Sequence, residues 1–245
     1  MKKLSKKIDS KVNLLKEFGK NINNSSTILD FGCGNGKSVK VWRDIGVQAF
    51  GCDIKFNCED EITKELLNSN QLKKIQLSPY HLPFQDNTFD VVYSDQVFEH
   101  VQNYKEVISE LYRVTKPNGV CLHIFPSRYM FIEPHVYVPL ATIIRNYYWL
   151  LFWAKCGIKN EYQLDLSSKE IAIKNLYYLK NNTKYYSKKK LIELFTTSFN
   201  IKFCEKEMLK YGRGGKFKFL LKIIPFLDKA VSTFRVRVLL TIPKK

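Results

Sequence analysis

Apolar positions along the chain come in short blocks, and the spacing within each block sets out the elements. Near the start Leu4, Ile8, Val12 and Leu15 fall on one side of a helical wheel, which predicts an amphipathic helix. Residues 28–31, Ile-Leu-Asp-Phe, read as a buried strand. Residues 38–45 place Val39, Val41, Trp42 and Ile45 in a short helix, and residues 47–52 read as a second strand ending at Asp53. Phe89, Val91 and Val92 are buried-strand material after a turn at Asp86-Asn87. The turn Pro117-Asn118-Gly119 introduces another strand at 120–125. Residues 140–155 are an aromatic-rich helix candidate. Residues 187–199 predict a helix with Ser187 as N-cap, and residues 200–204 and 235–242 read as strands. A chain of 245 residues that is 45% apolar suits one α/β domain with insertions, or one domain with a small cap.

The first strand runs into Asp30-Phe31-Gly32-Cys33-Gly34-Asn35-Gly36, an acid followed by glycine at every second position. Glycine allows positive φ and lets a ligand lie against the main chain. A helix beginning at about Lys37 points its free N–H groups at whatever fills the turn. A dinucleotide site asks for G-x-G-x-x-G, but the third glycine comes one residue early and Lys37 stands where it belongs. A P-loop asks for G-x-x-x-x-G-K-[ST]. Gly36-Lys37-Ser38 is present, but Phe31 stands five before Gly36, so the loop is one residue short. Asp30 would also set a carboxylate close to the phosphates. A ligand-free strand–helix turn is the plainest alternative.

The turn fits E/D-x-G-x-G-x-G at each fixed position and resembles motif I of the class I S-adenosylmethionine-dependent methyltransferases. That cofactor carries a sulfonium and an ammonium but no phosphate, so a carboxylate is welcome in the turn. Asp53, about 20 residues beyond the glycines at the end of the next strand, stands where a ribose diol is held. Two later stretches resemble the same family in the same order. They are Leu82-Pro83-Phe84-Gln85-Asp86-Asn87-Thr88-Phe89-Asp90 and Leu111-Tyr112-Arg113-Val114-Thr115-Lys116-Pro117-Asn118-Gly119. The resemblance covers roughly residues 27 to 126. It implies a doubly wound, seven-stranded, mostly parallel Rossmann-like sheet, with residues 200–204 and 235–242 as its last two strands. It implies S-adenosyl-L-methionine as cofactor, with Asp30, Gly32, Cys33, Gly34, Asp53, Ile54, Ser78 and Ser94 around it. Asp30 and the glycine turn would hold the methionine end, Asp53 the ribose, and Ser94 would lie near the methionine or methyl.

This chain departs from the pattern at two places. An acid often stands four residues before "LPF" and accepts the adenine amino group; here that position is Ser78, followed by Pro79. Gln96, Glu99 and His100 fall on one face if the segment is helical. Some quinone O-methyltransferases place Glu, Glu and His there as metal ligands. Gln96 removes one charged ligand, so no metal is expected, and Glu99–His100 is read as a structural or substrate-facing pair.

Charge locates the acceptor problem. The chain has a net charge of +17. Residues 21–125 carry 10 Lys/Arg against 13 Asp/Glu, whereas residues 126–245 carry 23 against 8. The basic excess lies outside the cofactor region, which points to an anionic partner such as a phosphate, a nucleic acid or a lipid headgroup. Cysteines 33, 52, 58, 121, 156 and 204 show no C-x-x-C spacing and no disulfide-dense pattern, which suits a reducing cytoplasm. The basic N-terminus has no apolar core of signal-peptide length.

After the fifth strand a cap is expected over about 126–185, ahead of the C-terminal helix and strands at 186–245. Its stretch Ile132-Glu133-Pro134-His135-Val136-Tyr137-Val138-Pro139 resembles methyltransferase-domain proteins of surface-glycan and lipopolysaccharide biosynthesis. His135 beside Glu133 reads either as a general base for a hydroxyl acceptor or as a packed histidine in a rigid loop. His123, inside the fifth strand, reads as a core or cleft-lining histidine. The aromatic run at 147–154 is too short to span a bilayer. The basic, apolar stretch 210–230 reads as a helix packed on the sheet or as a membrane-interface segment. The expected function is O-methylation of a small-molecule, sugar or lipid-linked glycan hydroxyl. The alternatives are an RNA methyltransferase and a non-catalytic cofactor-fold protein docking at anionic membranes.

Overall fold

The computed structural model describes residues 6–211 and 227–245. Its elements in chain order are α1 (Lys6–Glu17), β1 (Thr27–Phe31), α2 (Lys37–Asp44), β2 (Gln48–Asp53), α3 (Glu61–Asn68), β3 (Leu72–Lys74), β4 (Gln76–Leu77), β5 (Tyr80–His81), β6 (Phe89–Asp95), α4 (Tyr104–Val114) and β7 (Thr115–Pro126). They continue with α5 (Tyr147–Lys155), α6 (Ser168–Asn181), α7 (Lys188–Phe195), β8 (Phe199–Phe203), α8 (Glu205–Tyr211), a helix at Leu227–Phe234, and β9 (Val236–Pro243).

Seven strands form one sheet in the order β3-β2-β1-β6-β7-β9-β8, and β4 and β5 pair as a separate hairpin. β3, β2, β1, β6 and β7 run parallel, and β9 is antiparallel to both of its neighbours. This is the expected mostly parallel, doubly wound α/β sheet. The central strands read as apolar runs because helices cover both faces. On one face Leu29, Phe31, Val92, Phe125 and Leu239 pack with Val107, Ile108 and Leu111 of α4 and Leu191 and Phe195 of α7. On the other, Ile28, Tyr93, Leu122, Val238 and Leu240 pack with Ile8, Leu14 and Leu15 of α1 and Val39 and Trp42 of α2. Strand order reverses between β1 and β6, so their C-terminal ends flank the crevice where such sheets bind ligands.

A smaller core follows β7. Val136, Val138 and Ala141 pack with Leu150 of α5 and Ala172 and Leu179 of α6. Trp149 Nε1 donates to Pro139 O at 2.8 Å, and Arg145 donates to Leu179 O at 2.8 Å and Thr183 O at 3.2 Å. No helix among the described residues is long and apolar enough to cross a membrane.

The structure corrects several boundaries. Residues 96–100 are not helical: Gln96 sits at φ 60° and is exposed while Glu99 is buried, so the two share no face. Helix α5 starts at Tyr147 rather than 140, because Leu140 takes φ 56° and Asn146 caps the helix by accepting from Trp149 N. Ser187 caps α7 as expected, but the helix ends at Phe195 and Phe199 already pairs in β8. Pro117-Asn118-Gly119 is a bulge within β7 rather than a turn before it: Phe89 pairs with Thr115, and Val91 with Val120. In α1, Ile8 and Leu15 are buried as expected, Val12 is half-buried, and Leu4 lies outside the described residues. Most of 210–230 also lies outside them.

One buried ion pair joins the antiparallel edge to the rest. Arg237 of β9 donates to Glu205 Oε1 at 2.8 Å and to Ser127 Oγ at 3.1 Å, and Arg237 and Glu205 are each 3% exposed. Removing one member of such a pair leaves a charge in a dry site, whereas replacing both by apolar groups is far milder. Lys188 Nζ also lies 3.3 Å from Glu205 Oε1 and stays as a partner, so Arg237→Ala is expected to lose about 3 kcal/mol, the lower end for a broken buried pair. Arg237→Met with Glu205→Leu is expected to recover most of that loss. Urea unfolding of the three proteins checks it.

Candidate functional site

The turn after β1 is fastened to the end of β2. Gly32 N and Cys33 N both donate to Cys52 O, at 2.8 and 3.2 Å, and Gly34 N donates to Asp53 Oδ2 at 2.8 Å. Gly36 N closes on Cys33 O at 3.0 Å, and Lys37 N reaches Asn35 Oδ1 at 3.3 Å. Thr63 Oγ1 of α3 donates to Asn35 O at 3.1 Å and anchors the outside of the loop. Gly32 and Gly34 sit at φ 75° and 56°. A Cβ on Gly32 would lie 2.3 Å from Val97 Cγ2, while one on Gly34 would meet nothing within 4 Å. Gly32 is thus a packing position, and Gly34 presents bare backbone to an open cleft.

The amides of Gly32, Cys33, Gly34, Gly36 and Lys37 are satisfied by the protein, so they offer no cradle to a phosphate. Asp53 keeps acceptor capacity: Oδ2 holds Gly34 N, Oδ1 holds Ile54 N at 2.7 Å, and a carboxylate has about four lone-pair sites. The Ile54 side chain is exposed beside it.

Asp30, at the end of β1, is buried. Burial raises its pKa to about 7, against the pull of the Lys11 ammonium. Lys11 Nζ lies 3.1 Å from Asp95 Oδ2 and 4.4 Å over the Tyr93 ring. So α1 brings a buried cation to the ends of β1 and β6. Sequence reasoning missed Lys11 and Asp95. The signal was there for Lys11, which falls between Ile8 and Leu15 on the buried stripe of α1.

Ser94 is buried, and its hydroxyl is paired with His123 Nδ1 at 2.9 Å. Burial lowers the His123 pKa to about 3, so that ring is neutral core, tilted against Phe98 with ring centroids 4.5 Å apart. The residue of β6 that meets the Lys11 cluster is Asp95, the next along. Ser78 is exposed at the tip of the β4–β5 hairpin, its carbonyl accepting from Gln76 Nε2 at 3.3 Å. Tyr80 is the hairpin residue that approaches the turn. Burial raises its pKa, and Cys52 and Asp53 are among the groups that add to the shift. Burial likewise raises the Cys33 thiol, with Asp30, Cys52 and Asp53 adding to it. The Cys33 sulfur packs against Gly51 of β2.

The second cluster joins the loop after β6 to the segment after β7. Glu133 is fully buried and fully partnered. Oε2 accepts from His135 N and Val136 N at 2.8 and 2.7 Å, and Oε1 from His135 Nδ1 and Tyr185 OH at 2.8 and 2.5 Å. Burial pushes its pKa up, but these bonds outweigh burial and hold it below the ordinary range. His135 is lowered by burial and raised more by Glu133, so its pKa ends above the usual value. In the neutral ring the carboxylate fixes the tautomer, since Nδ1 must donate and Nε2 then carries the lone pair. His100 packs edge-on to His135 at 4.8 Å, its Nδ1 on Asn182 O at 2.9 Å. Glu99 is fully buried beside them. The structure therefore brings Glu133, His135, Glu99 and His100 together and leaves Gln96 outside.

Residues 29–123 match a family model described as a methyltransferase domain. An uncharacterized methyltransferase of Schizosaccharomyces pombe is 36% identical over 115 residues, covering 42% of this chain and 41% of that protein. The demethylmenaquinone methyltransferase of Oceanobacillus iheyensis is 29% identical over 153 residues, covering 55% and 64%. The chain thus spans less than two thirds of the length of these curated relatives. Among solved structures, an S-adenosylmethionine-dependent methyltransferase from Mesorhizobium loti aligns over 97% of this chain and 99% of its own, with a TM-score of 0.54 at 11% identity. The fold is that of the Rossmann-like methyltransferases, and the stretch that matches the family carries the glycine turn, Asp53 and the strand ends around them.

Proposed function

We propose that this chain transfers a methyl group from S-adenosylmethionine to a hydroxyl oxygen of a small molecule, a sugar or a lipid-linked glycan. The observation that carries the cofactor reading is the glycine turn. The amides of Gly32, Cys33, Gly34, Gly36 and Lys37 are occupied, the backbone at Gly34 is bare and open, and Asp53 beside it has lone pairs left for two ribose hydroxyls. Asp30, buried and short of a full counter-charge, suits the ammonium of the methionine moiety, and Asp95 stands next to it. Tyr80 and Ile54 offer apolar surface on the Asp53 side for adenine. The cofactor supplies an electrophilic methyl on a sulfonium that leaves as a neutral thioether.

The reaction is an in-line displacement. An oxygen lone pair forms the new C–O bond, the C–S pair returns to sulfur, and the hydroxyl proton goes to a base. His135 fits that role, because the bond from Nδ1 to Glu133 leaves its Nε2 to take the proton. The chain otherwise contributes alignment. The glycan and lipid-linked acceptors rest on the resemblance of residues 132–139 and on the basic charge of residues 126–245. Exposed Phe131, Ile132 and Tyr137 beside the cluster suit an acceptor with an apolar part.

Asp53→Ala removes two charge-assisted acceptors, each contributing about 1.5–3 kcal/mol. It should weaken S-adenosylhomocysteine binding by at least about tenfold in calorimetry, and wild-type affinity in the variant would remove the ribose assignment.

Asp30 gives a pH dependence of known sign. Its folded pKa lies above the ordinary carboxylate value, so the neutral form stabilises the free protein at low pH, and that contribution is lost as pH rises through about 7. A bound ammonium favours the ionised form. Cofactor affinity should therefore rise by about tenfold between pH 5.5 and 7, with proton release on binding, and Asp30→Asn should flatten the curve.

His135→Ala should lower kcat by about 10²–10⁴ with cofactor affinity unchanged. The overall reading is tested by following methyl transfer to nucleotide sugars and polyprenyl-linked sugars, alongside cofactor calorimetry. A chain that binds neither S-adenosylmethionine nor S-adenosylhomocysteine would refute it.

A further inference from the structure

Glu99 is the most unusual group in the molecule. It is fully buried, yet neither carboxylate oxygen has a hydrogen-bond partner. An isolated carboxylate in a dry site is strongly disfavoured unless a cation or a proton joins it. The groups facing it are two imidazoles. One donor atom from each of Glu99, His100 and His135 lies within 4.8 Å of the other two.

Both rings are held in the tautomer that a cation needs. His100 Nδ1 lies 2.9 Å from Asn182 O, and a carbonyl can only accept, so Nδ1 carries the hydrogen and Nε2 the lone pair. His135 Nδ1 lies 2.8 Å from Glu133 Oε1, with the same consequence. Glu133 is held in turn by Tyr185 OH and Val136 N. A carboxylate or carbonyl behind each histidine is the outer shell that orients metal-bound imidazoles. The three residues come from two separate loops, one after β6 and one after β7, at the end of the sheet where the glycine turn lies.

We propose that Glu99, His100 and His135 bind a divalent first-row transition cation, of the Zn²⁺, Co²⁺ or Fe²⁺ type. Two imidazoles and one carboxylate suit these ions rather than Mg²⁺ or Ca²⁺, which take oxygen ligands. Ligand bonds of about 2.0–2.2 Å require the three side chains to close slightly around the ion. Three protein ligands leave a position open. Resting on the methyl-transfer reading above, that position takes the acceptor oxygen and lowers its pKa. The lone pair of His135 is then committed to the cation, which replaces the imidazole as the group that acidifies the hydroxyl. The proton leaves to solvent.

The test needs no turnover. The chelator-stripped full chain is titrated with Co²⁺, followed by visible absorption and calorimetry. One equivalent should bind with d–d bands and no thiolate charge-transfer band. Glu99→Gln and His100→Ala should each weaken it by about 10–100-fold. Because the Glu99 side chain makes no hydrogen bond, Glu99→Gln should keep the wild-type fold and thermal midpoint without metal, and only the wild type should gain stability with it. Failure of the wild type to bind one equivalent would overturn the site. So would a thiolate band, or wild-type affinity in Glu99→Gln. Cofactor calorimetry on the same sample separates the outcomes: a chain that binds S-adenosylhomocysteine but not Co²⁺ loses this site and keeps the methyl-transfer reading.

Discussion

The junction between the first two strands carries the rest of the molecule. Cys52 O receives two amides of the glycine turn, and the Asp53 carboxylate receives a third. These bonds require β1 and β2 to end side by side, which their parallel register, Phe31 opposite Cys52, provides. They also require glycine at 32 and 34, because both positions turn through positive φ. Once the turn is shut against β2, its amides are no longer an anion site. What remains is a carboxylate with spare lone pairs and a stretch of bare backbone. The ligand class follows from where the hydrogen bonds have gone more than from the spacing of the glycines.

The sheet and this junction were legible in the sequence because they are local. A buried parallel strand is an apolar run, a tight turn needs glycine, and the acid after the second strand follows at a fixed interval. The second cluster was not legible, because its geometry is tertiary. Gln96, Glu99 and His100 share a face only if the chain there is helical, and Gln96 at φ 60° breaks that assumption. His135 joins Glu99 from 36 positions away, a distance no periodicity reports. Helix α5 was placed too early for a related reason: Ala141 is buried in the small core and the backbone turns at Leu140, so the apolar composition of 140–144 does not say helix.

Four buried carboxylates show how differently one chain solves the same problem. Glu205 has a guanidinium at 2.8 Å, a pair that joins α8 to β9. Glu133 has four hydrogen bonds and stays ionised despite complete burial. Asp30 has only a partial answer in Lys11, and Glu99 has none within bonding distance. Full satisfaction marks the groups that hold structure. Full burial without a hydrogen-bond partner sets Glu99 apart from the other three.

The same division runs along the chain. The family match ends at His123, three residues before the end of β7. What lies up to there includes the glycine turn, where a Cβ on Gly32 would run into Val97. Beyond β7, the segment from Val136 to Leu179 packs around its own core of Val136, Val138, Ala141, Leu150, Ala172 and Leu179, while α7, β8 and β9 return to the sheet. A segment with a separate core can change its surface without disturbing the sheet. Glu133 acts across the two. It sits in the segment after β7, and it fixes His135 toward Glu99 on the loop that leaves β6. A substitution there would leave the glycine turn intact and remove the geometry that holds His135 against Glu99.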